Sequence, residues 1–593
     1  MNHTALRRIA AGAALTALTL AGATGVAQAK PGGEPSGPEP VEVQLLALND
    51  FHGQLETLDP ALTSSGRIQT GPNSTTDRTT AGGSEYLATQ LAQLAEEQKK
   101  HNTITVAAGD LIGASPLLSA AFHDEPTIEA LNLMGLDYTT VGNHEFDEGP
   151  AELLRIQNGG CHPVDGCADG TPFAGADFQY LSANVFSDQT DDTLLPPYAI
   201  DNVQGVKIGF IGMTLEGTPN IVTAEGTAGL QFHDEIATAN TYAAELQAQG
   251  VEAIVVLLHE GGQQNGADAW NVNGCQGLTG PIVPIAEGMS DAIDVVVSGH
   301  THNAYNCVID GKLVTSASSL GRLVTDIDLT IDRRTGDVLT AQAENVINTR
   351  TVAKDAAQTA LIARYNEVVG PIAAEVVGET SAALDRVRER LYQSGTSPTG
   401  AAVYALGEST MGNVIADAQL AATDDEQGAV AALMNPGGVR GELDAGPVTY
   451  GEAFSVQPFS NVLTTLDLTG AQLQCLLEQQ FQGINSPLYP SASLTYDVSL
   501  GGTTAAANAN PCTGTRVPDG SVEINGTPVV ATQVYRITVN NFLAGGGDGF
   551  TVLRDFGVNA VTSMDDLVAL IAYLDGPASP VPAPALDRIT TVP

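Results

Sequence analysis

Lysine and arginine are scarce in this chain of 593 residues, numbering 24 together against 68 aspartates and glutamates, for a formal net charge of −44. That deficit argues against a nucleic-acid polymer or an anionic membrane surface as partner, since both would be repelled. Cysteine is limited to six residues and no pair has C-x-x-C spacing, which removes the usual zinc-ribbon patterns. Beyond residue 29 no apolar run is long enough to span a bilayer, and no repeat of solenoid length is present. What is there, at 43% hydrophobic residues, fits a soluble globular chain of at least two domains.

The first 29 residues read as a secretory signal peptide: Arg7 and Arg8, an apolar stretch from Ile9 to Val26, and the small-residue site Ala27-Gln28-Ala29, with cleavage expected after Ala29. Export predicts a secreted, extracellular protein, with cell-wall association open and no stable membrane insertion. It also makes the six cysteines candidates for three disulfides. Sequence leaves the connectivity open; proximity favours Cys161–Cys167, Cys275–Cys307 and Cys475–Cys512.

Residues 30–40 form a Pro/Gly tether, and 59–83, rich in Ser, Thr and Gly, read as a surface loop. Ser84 to Lys100 is expected to be an amphipathic helix. Apolar strands then recur, each ending in residues that carry chemistry. Val41–Leu48 precedes Asp50 and His52; Thr103–Ala108 precedes Asp110; Tyr138–Val141 precedes Asn143, His144 and Asp147. Ala253–Leu258 precedes His259, and Ile293–Ser298 precedes His300 and His302. Alternating strands and helices imply an α/β domain, whose sites lie at strand C-termini. Val352–Val369 reads as a helix broken at Gly370-Pro371, which places an inter-domain connection at 351–375. A second α/β domain follows over 376–580, with helices at Gly412–Thr423 and Thr469–Phe481, Thr469 as an N-cap, and an irregular tail over 581–593.

Five of the ten histidines fall in these five short stretches. Carboxylate, imidazole and amide together suit borderline divalent metals such as Mn, Zn, Co or Fe. We expect two ions, with Asp50, His52 and His302 on one, Asn143, His259 and His300 on the other, and Asp110 bridging. Hydroxide generated at the ions attacks phosphorus in line, water being acidified from about 15.7 towards about 7 in the best-tuned cases. His144, oriented and charged by Asp147, is expected to stabilise the transition state or protonate the leaving oxygen. His101, His123, His162 and His233 lack partners at ligand spacing and are assigned to surface or turns.

This set of motifs closely resembles the secreted bacterial 5′-nucleotidases of the calcineurin-like metallophosphoesterase superfamily, over residues 41–575. The resemblance implies a four-layer αββα metallophosphoesterase sandwich at 41–350 followed by a nucleotide-specificity domain. It agrees with the metal assignments and with the roles of His144 and Asp147; His302 stands where some relatives have Gln or Asn. It also implies that Asn435 and Arg440, in Asn435-Pro436-Gly437-Gly438-Val439-Arg440, meet the nucleotide. Phe459 and Phe542 would sandwich the base, and Asp548 would bind ribose hydroxyls. The second domain would rotate to carry the nucleotide to the metals, so 351–375 is a candidate hinge.

One position departs from the family: Ala405 stands where an arginine usually binds phosphate, and Arg386, Arg388 or Arg390 are the nearby substitutes. The resemblance as a whole implies a nucleoside 5′-monophosphate as substrate, giving nucleoside and phosphate, while the departure at Ala405 leaves other phosphoesters open. A 2′,3′-cyclic-nucleotide phosphodiesterase/3′-nucleotidase or a nucleotide-sugar diphosphatase is the alternative on the same scaffold. A non-catalytic nucleotide-binding or adhesion protein is the remote one. The base-stacking pair argues against a thiosulfate-processing relative.

Overall fold

Several core strands of the N-terminal half are apolar on both faces because each face meets a different layer. In Val41–Leu48, Val43, Leu45 and Ala47 pack between two sheets while Leu46 and Leu48 point to helices. Ala253–His259 does the same: Val255 and Leu257 face the inter-sheet core, Ile254, Val256 and Leu258 the helical side. The period of two is hidden in a continuous hydrophobic run, as in buried parallel sheets.

The structure is a computed structural model that describes residues 39–593 apart from 59–63, 75, 98–101, 191, 397–401, 460, 483–485 and 507–509. The signal peptide and its cleavage site, most of the tether, His101 and the last turn expected of the helix ending at Lys100 lie outside the described residues.

The first six-stranded sheet runs in the order Val338–Ile347, Leu323–Ile331, Val41–Leu48, Thr103–Ala107, Tyr138–Thr140, Gln179–Leu181. The second runs Ala304–Ile309, Lys312–Ala317, Val295–Ser298, Ala253–His259, Val206–Thr214, Tyr198–Val203. Their facing sides share one core, and helices including Ser84–Glu97 and Glu125–Met134 on one flank and Glu235–Ala248 and Ile282–Gly288 on the other complete the four layers. The central strands of each sheet pair in parallel, so their C-terminal ends reach a common edge. Every expected metal ligand leaves from that edge.

The C-terminal half centres on a five-stranded sheet in the order Tyr489–Pro490, Ala431–Met434, Val534–Asn540, Val462–Thr469, Val558–Asp565. Thr469 caps the helix Gly470–Gln479 in a capping box with Gln472, as the sequence predicts; such a cap is worth about 1 kcal/mol. All three disulfides join the cysteines that proximity favours. Residues 40–593 form one compact unit. Among the described residues no helix is long and apolar enough to cross a membrane.

The structure corrects three expectations. Gly370-Pro371 does not end its helix, which runs Ala356–Ala373 with Pro371 inside and Asp355 as N-cap. Pro371 falls in the last turn, and the residue four before it, Glu367, is exposed, so its carbonyl stays in reach of water. The tail is not irregular: Ile589–Val592 pairs in parallel with Leu494–Ser499, and the buried Arg588 guanidinium bonds Asp417 and the carbonyls of Asn413 and Pro490. Within 59–83, the short strands Arg67–Gln69 and Arg78–Thr80 pair antiparallel.

Candidate metal and nucleotide site

The residues expected at the centre come together at the shared sheet edge. Asp50 and His259 are fully buried, and His52, Asp110 and Asn143 nearly so. His302 Nε2 is 3.2 Å from Asp50 Oδ1 and 2.9 Å from His52 Nε2. Asp110 Oδ2 sits between two histidines, 3.0 Å from His259 Nε2 and 3.7 Å from His52 Nε2. Two clusters result, Asp50–His52–His302 and Asp110–His259–His300, joined by a third group, His52–Asp110–His144.

The backbone is bent to reach this geometry. Asp50, His52, Asp110, His300 and His302 all have φ between 49° and 69°, the left-handed region that non-glycine residues enter at a cost of about 1–3 kcal/mol each. Two glycines permit the close approach. A Cβ on Gly142 would lie 2.1 Å from Asp110 Oδ1, and one on Gly109 would lie 2.6 Å from the Gly142 nitrogen. Gly109→Ala is therefore expected to lower stability by about 1–3 kcal/mol and to weaken metal retention. Thermal melts and metal analysis of the purified variant check this, and unchanged values for both would contradict it.

Hydrogen bonds fix which ring nitrogen faces inward. His52 Nδ1–H donates to Gly113 O at 2.9 Å, and His259 Nδ1–H donates to Ala108 O at 2.7 Å. Each leaves its Nε2 toward the centre, the arrangement of metal-binding histidines. Burial drives the His52 imidazole down to about 3 and His300 to about 4, which keeps both neutral and lone-pair-bearing. Asp50 is held by the Asn49 amide at 2.6 Å and by the His300 backbone N–H at 3.0 Å. Asn143 Oδ1 is buried and has no hydrogen-bond partner among the described residues. A buried oxygen left bare and imidazole lone pairs converging on carboxylates fit divalent cations.

Glu145, between the expected residues His144 and Asp147, is given no role by the sequence but has one in the structure. Its carboxylate, buried, accepts the backbone N–H groups of Asp110 at 3.0 Å, Leu111 at 2.9 Å and Gly142 at 2.5 Å. It thus clamps two ligand-bearing turns together. Burial and then the Asp110 charge push it up to about 7. Its place inside Asn143-His144-Glu145 was the only signal available.

His144 Nδ1–H donates to Asp147 Oδ2 at 2.7 Å. Burial opposes the charged imidazole, but Asp147 and Asp110 outweigh it and raise the group to about 9. His144 and Asp147 line a cleft of about 890 Å³ together with Phe459 and Phe542. The Phe459 ring stacks nearly parallel to His144 at 5.8 Å, and the Arg440 guanidinium lies over the same Phe459 ring, 5.6 Å from its centroid. Asn435 Nδ2 donates to Asp548 Oδ2 at 2.8 Å, and Asn540 Nδ2 donates to Asn435 Oδ1 at 3.0 Å.

Of the three arginines near Ala405, Arg388 is spent on the carbonyls of Leu406, Gly407 and Pro487, and Arg390 stacks on Tyr404. Arg386 instead donates to the Arg440 carbonyl at 3.0 Å and adds its charge beside Arg440. The expectation that His123 and His162 lack partners is corrected: their rings stack at 3.8 Å between Glu148 and Asp165. His233 stacks on Phe186.

Two family models match the chain, the calcineurin-like phosphoesterase over residues 43–304 and the 5′-nucleotidase C-terminal domain over 391–555. The endonuclease YhcR of Bacillus subtilis is 34% identical over 92% of this chain, which spans only 40% of that protein. The cell wall protein Lmo0130 of Listeria monocytogenes is 31% identical over 90% of this chain and 67% of its own length. A crystal structure of a 5′-nucleotidase precursor from Thermus thermophilus superimposes with a TM-score of 0.69 at 26% identity, covering 93% of this chain and 99% of that one. The chain belongs to the 5′-nucleotidase family of calcineurin-like phosphoesterases, a family of metal-dependent phosphoester hydrolases.

Proposed function

We propose that this chain is an exported 5′-nucleotidase that converts nucleoside 5′-monophosphates to nucleoside and phosphate. The observation that carries the reading is the single cleft shared by the His144–Asp147 pair and the rings of Phe459 and Phe542. It puts a proton donor and apolar faces for a base within one nucleotide's reach. Asp50, His52 and His302 would hold one divalent ion of the Mn, Zn, Co or Fe kind, Asn143, His259 and His300 a second, with Asp110 facing both. When bound, the ions supply Lewis acidity at the phosphoryl oxygens and acidify water.

The chain's own groups do the rest. Asp147 anchors Nδ1–H of His144, which leaves Nε2 of that ring to hold the proton for the departing 5′-oxygen. Arg440, with Arg386 beside it, supplies the cationic charge a phosphate dianion needs in so acidic a chain. Phe459 and Phe542 take the base, and Asp548, held by Asn435, takes ribose hydroxyls. In this reading residues 41–350 carry the metals and 376–580 the nucleotide. The helix Ala356–Ala373 packs Leu361, Tyr365 and Val369 into the core of the first half, which favours a hinge just after it.

Initial rates of metal-reconstituted protein on AMP, 2′,3′-cyclic AMP, UDP-glucose and single-stranded DNA test the reading. The expected order places AMP first. A larger kcat/KM on either of the two middle substrates would move the assignment to the alternative esterases. Faster cleavage of the polymer would align the chain with the Bacillus endonuclease it resembles.

A further inference from the structure

Outside the dinuclear centre, a second cluster of metal-binding side chains stands at the rim of the same cleft. His123 follows the helix Leu117–Ala120, and His162 and Asp165 sit in the loop closed by the Cys161–Cys167 disulfide. The two imidazoles lie face to face, 3.8 Å apart and 18° from parallel. Along one edge of the stack, Asp165 Oδ2 is 3.0 Å from His123 Nε2 and 3.3 Å from His162 Nδ1. Along the other, Glu148 Oε2 is 2.9 Å from His123 Nδ1.

The edge at Asp165 has the dimensions of a cation site. Ligand bonds of 2.0–2.2 Å in a tetrahedron put donor atoms about 3.3 Å apart, close to the separations seen. The hydrogen bonds orient the donors. Glu148 holds His123 Nδ1–H, the outer carboxylate arrangement of metal-bound histidines, and a cation would take the place of the proton that His123 Nε2 shares with Asp165 at 3.0 Å. His162 Nδ1 accepts the Asp165 backbone N–H at 3.2 Å, so it presents a lone pair. That nitrogen then faces the Asp165 carboxylate oxygen at 3.3 Å, two electron-rich atoms with no proton between them. A cation between them relieves the repulsion.

We propose that His123, His162 and Asp165 form a third divalent-cation site, for a borderline ion such as Zn²⁺, with Glu148 as its outer carboxylate. The ion would tie the disulfide loop to the turn at His123–Asp124. That turn is coupled to the centre: Asp124 Oδ2 accepts Gly113 N–H at 3.1 Å, and Gly113 O accepts His52 Nδ1–H. The cluster thus stands one residue, Asp124, and two hydrogen bonds from His52.

Zinc itself is the probe. The full-length mature chain and its His162→Gln and Asp165→Asn variants are saturated with Zn²⁺, freed of excess ion by gel filtration, and analysed for zinc per chain. Each variant is expected to hold about one equivalent less than the parent, and the same difference is expected in an Asp110→Asn background. That background separates this site from the dinuclear one, because failure of the two-ion reading lowers every total but leaves the difference intact. Co²⁺ added to the zinc-free proteins should give a visible tetrahedral band that weakens in both variants. If His162→Gln does not fold, Asp165→Asn decides, since its side chain is 59% exposed. Equal zinc in parent and variants would reduce the cluster to an ion-pair network and overturn the proposal.

Discussion

Asp110→Asn is expected to lower kcat/KM on AMP by about 10³-fold or more, a loss of about 4 kcal/mol in transition-state stabilisation. No other side chain joins as many parts of the centre. One carboxylate oxygen faces His259 and His52, and the other accepts the His144 backbone N–H at 3.0 Å. Burial opposes its charge, but His259 and His144 hold it well below the usual carboxylate range, so it is an anion at every working pH. An amide of the same shape removes that charge and turns an N–H toward cations. The measurement is activity beside metal content and a thermal melt. A folded variant that binds fewer ions and has lost activity matches the expectation; one retaining a tenth of the parent rate would sink the bridging role. Stripping the parent with a chelator should reproduce the loss, and adding Mn²⁺ or Zn²⁺ back should reverse it.

The parts of this centre that the sequence made legible are those set by local chain geometry. Asp50, Asp110, Asn143 and His300 each follow a strand within three residues and His259 ends one, and a parallel sheet delivers all such ends to one edge. Knowing the strands was enough to know that these side chains meet. Thr469 was legible for the same reason, since a capping box is written within four residues. What escaped depends on partners distant in sequence. Ile589–Val592 is a strand only because Leu494–Ser499 accepts it, and four residues carry too weak a period to announce that. His123, Glu148, His162 and Asp165 look like isolated polar residues until one disulfide loop and one left-handed turn bring them together. Likewise nothing in the spacing of Arg386, Arg388 and Arg390 separates the arginine beside Arg440 from the two already occupied by carbonyls and an aromatic ring.

His144 and Asp147 separate proton chemistry from metal binding. His144→Ala is expected to lower kcat by about 10²–10⁴-fold while the protein keeps its full complement of ions, because the side chain bonds Asp147 while the backbone N–H alone holds Asp110. Asp147→Asn keeps a hydrogen-bond acceptor for Nδ1–H but removes the negative charge. The sign of its pH effect follows from the direction of the shift. The acid form of His144 is the one stabilised, so a step that needs its proton is available below the raised pKa and lost as pH climbs through it. Without the Asp147 charge the imidazolium loses its nearest counter-ion, and the alkaline limb of kcat/KM should move down by about 1–3 pH units. Divalent cations nearby lower the limb in both proteins and leave the sign of the difference unchanged. A pH–rate profile of the two, under saturating metal, makes the comparison. A limb that stays in place, or moves up, would show that His144 acts without giving up a proton and stabilises charge at the phosphoryl group instead.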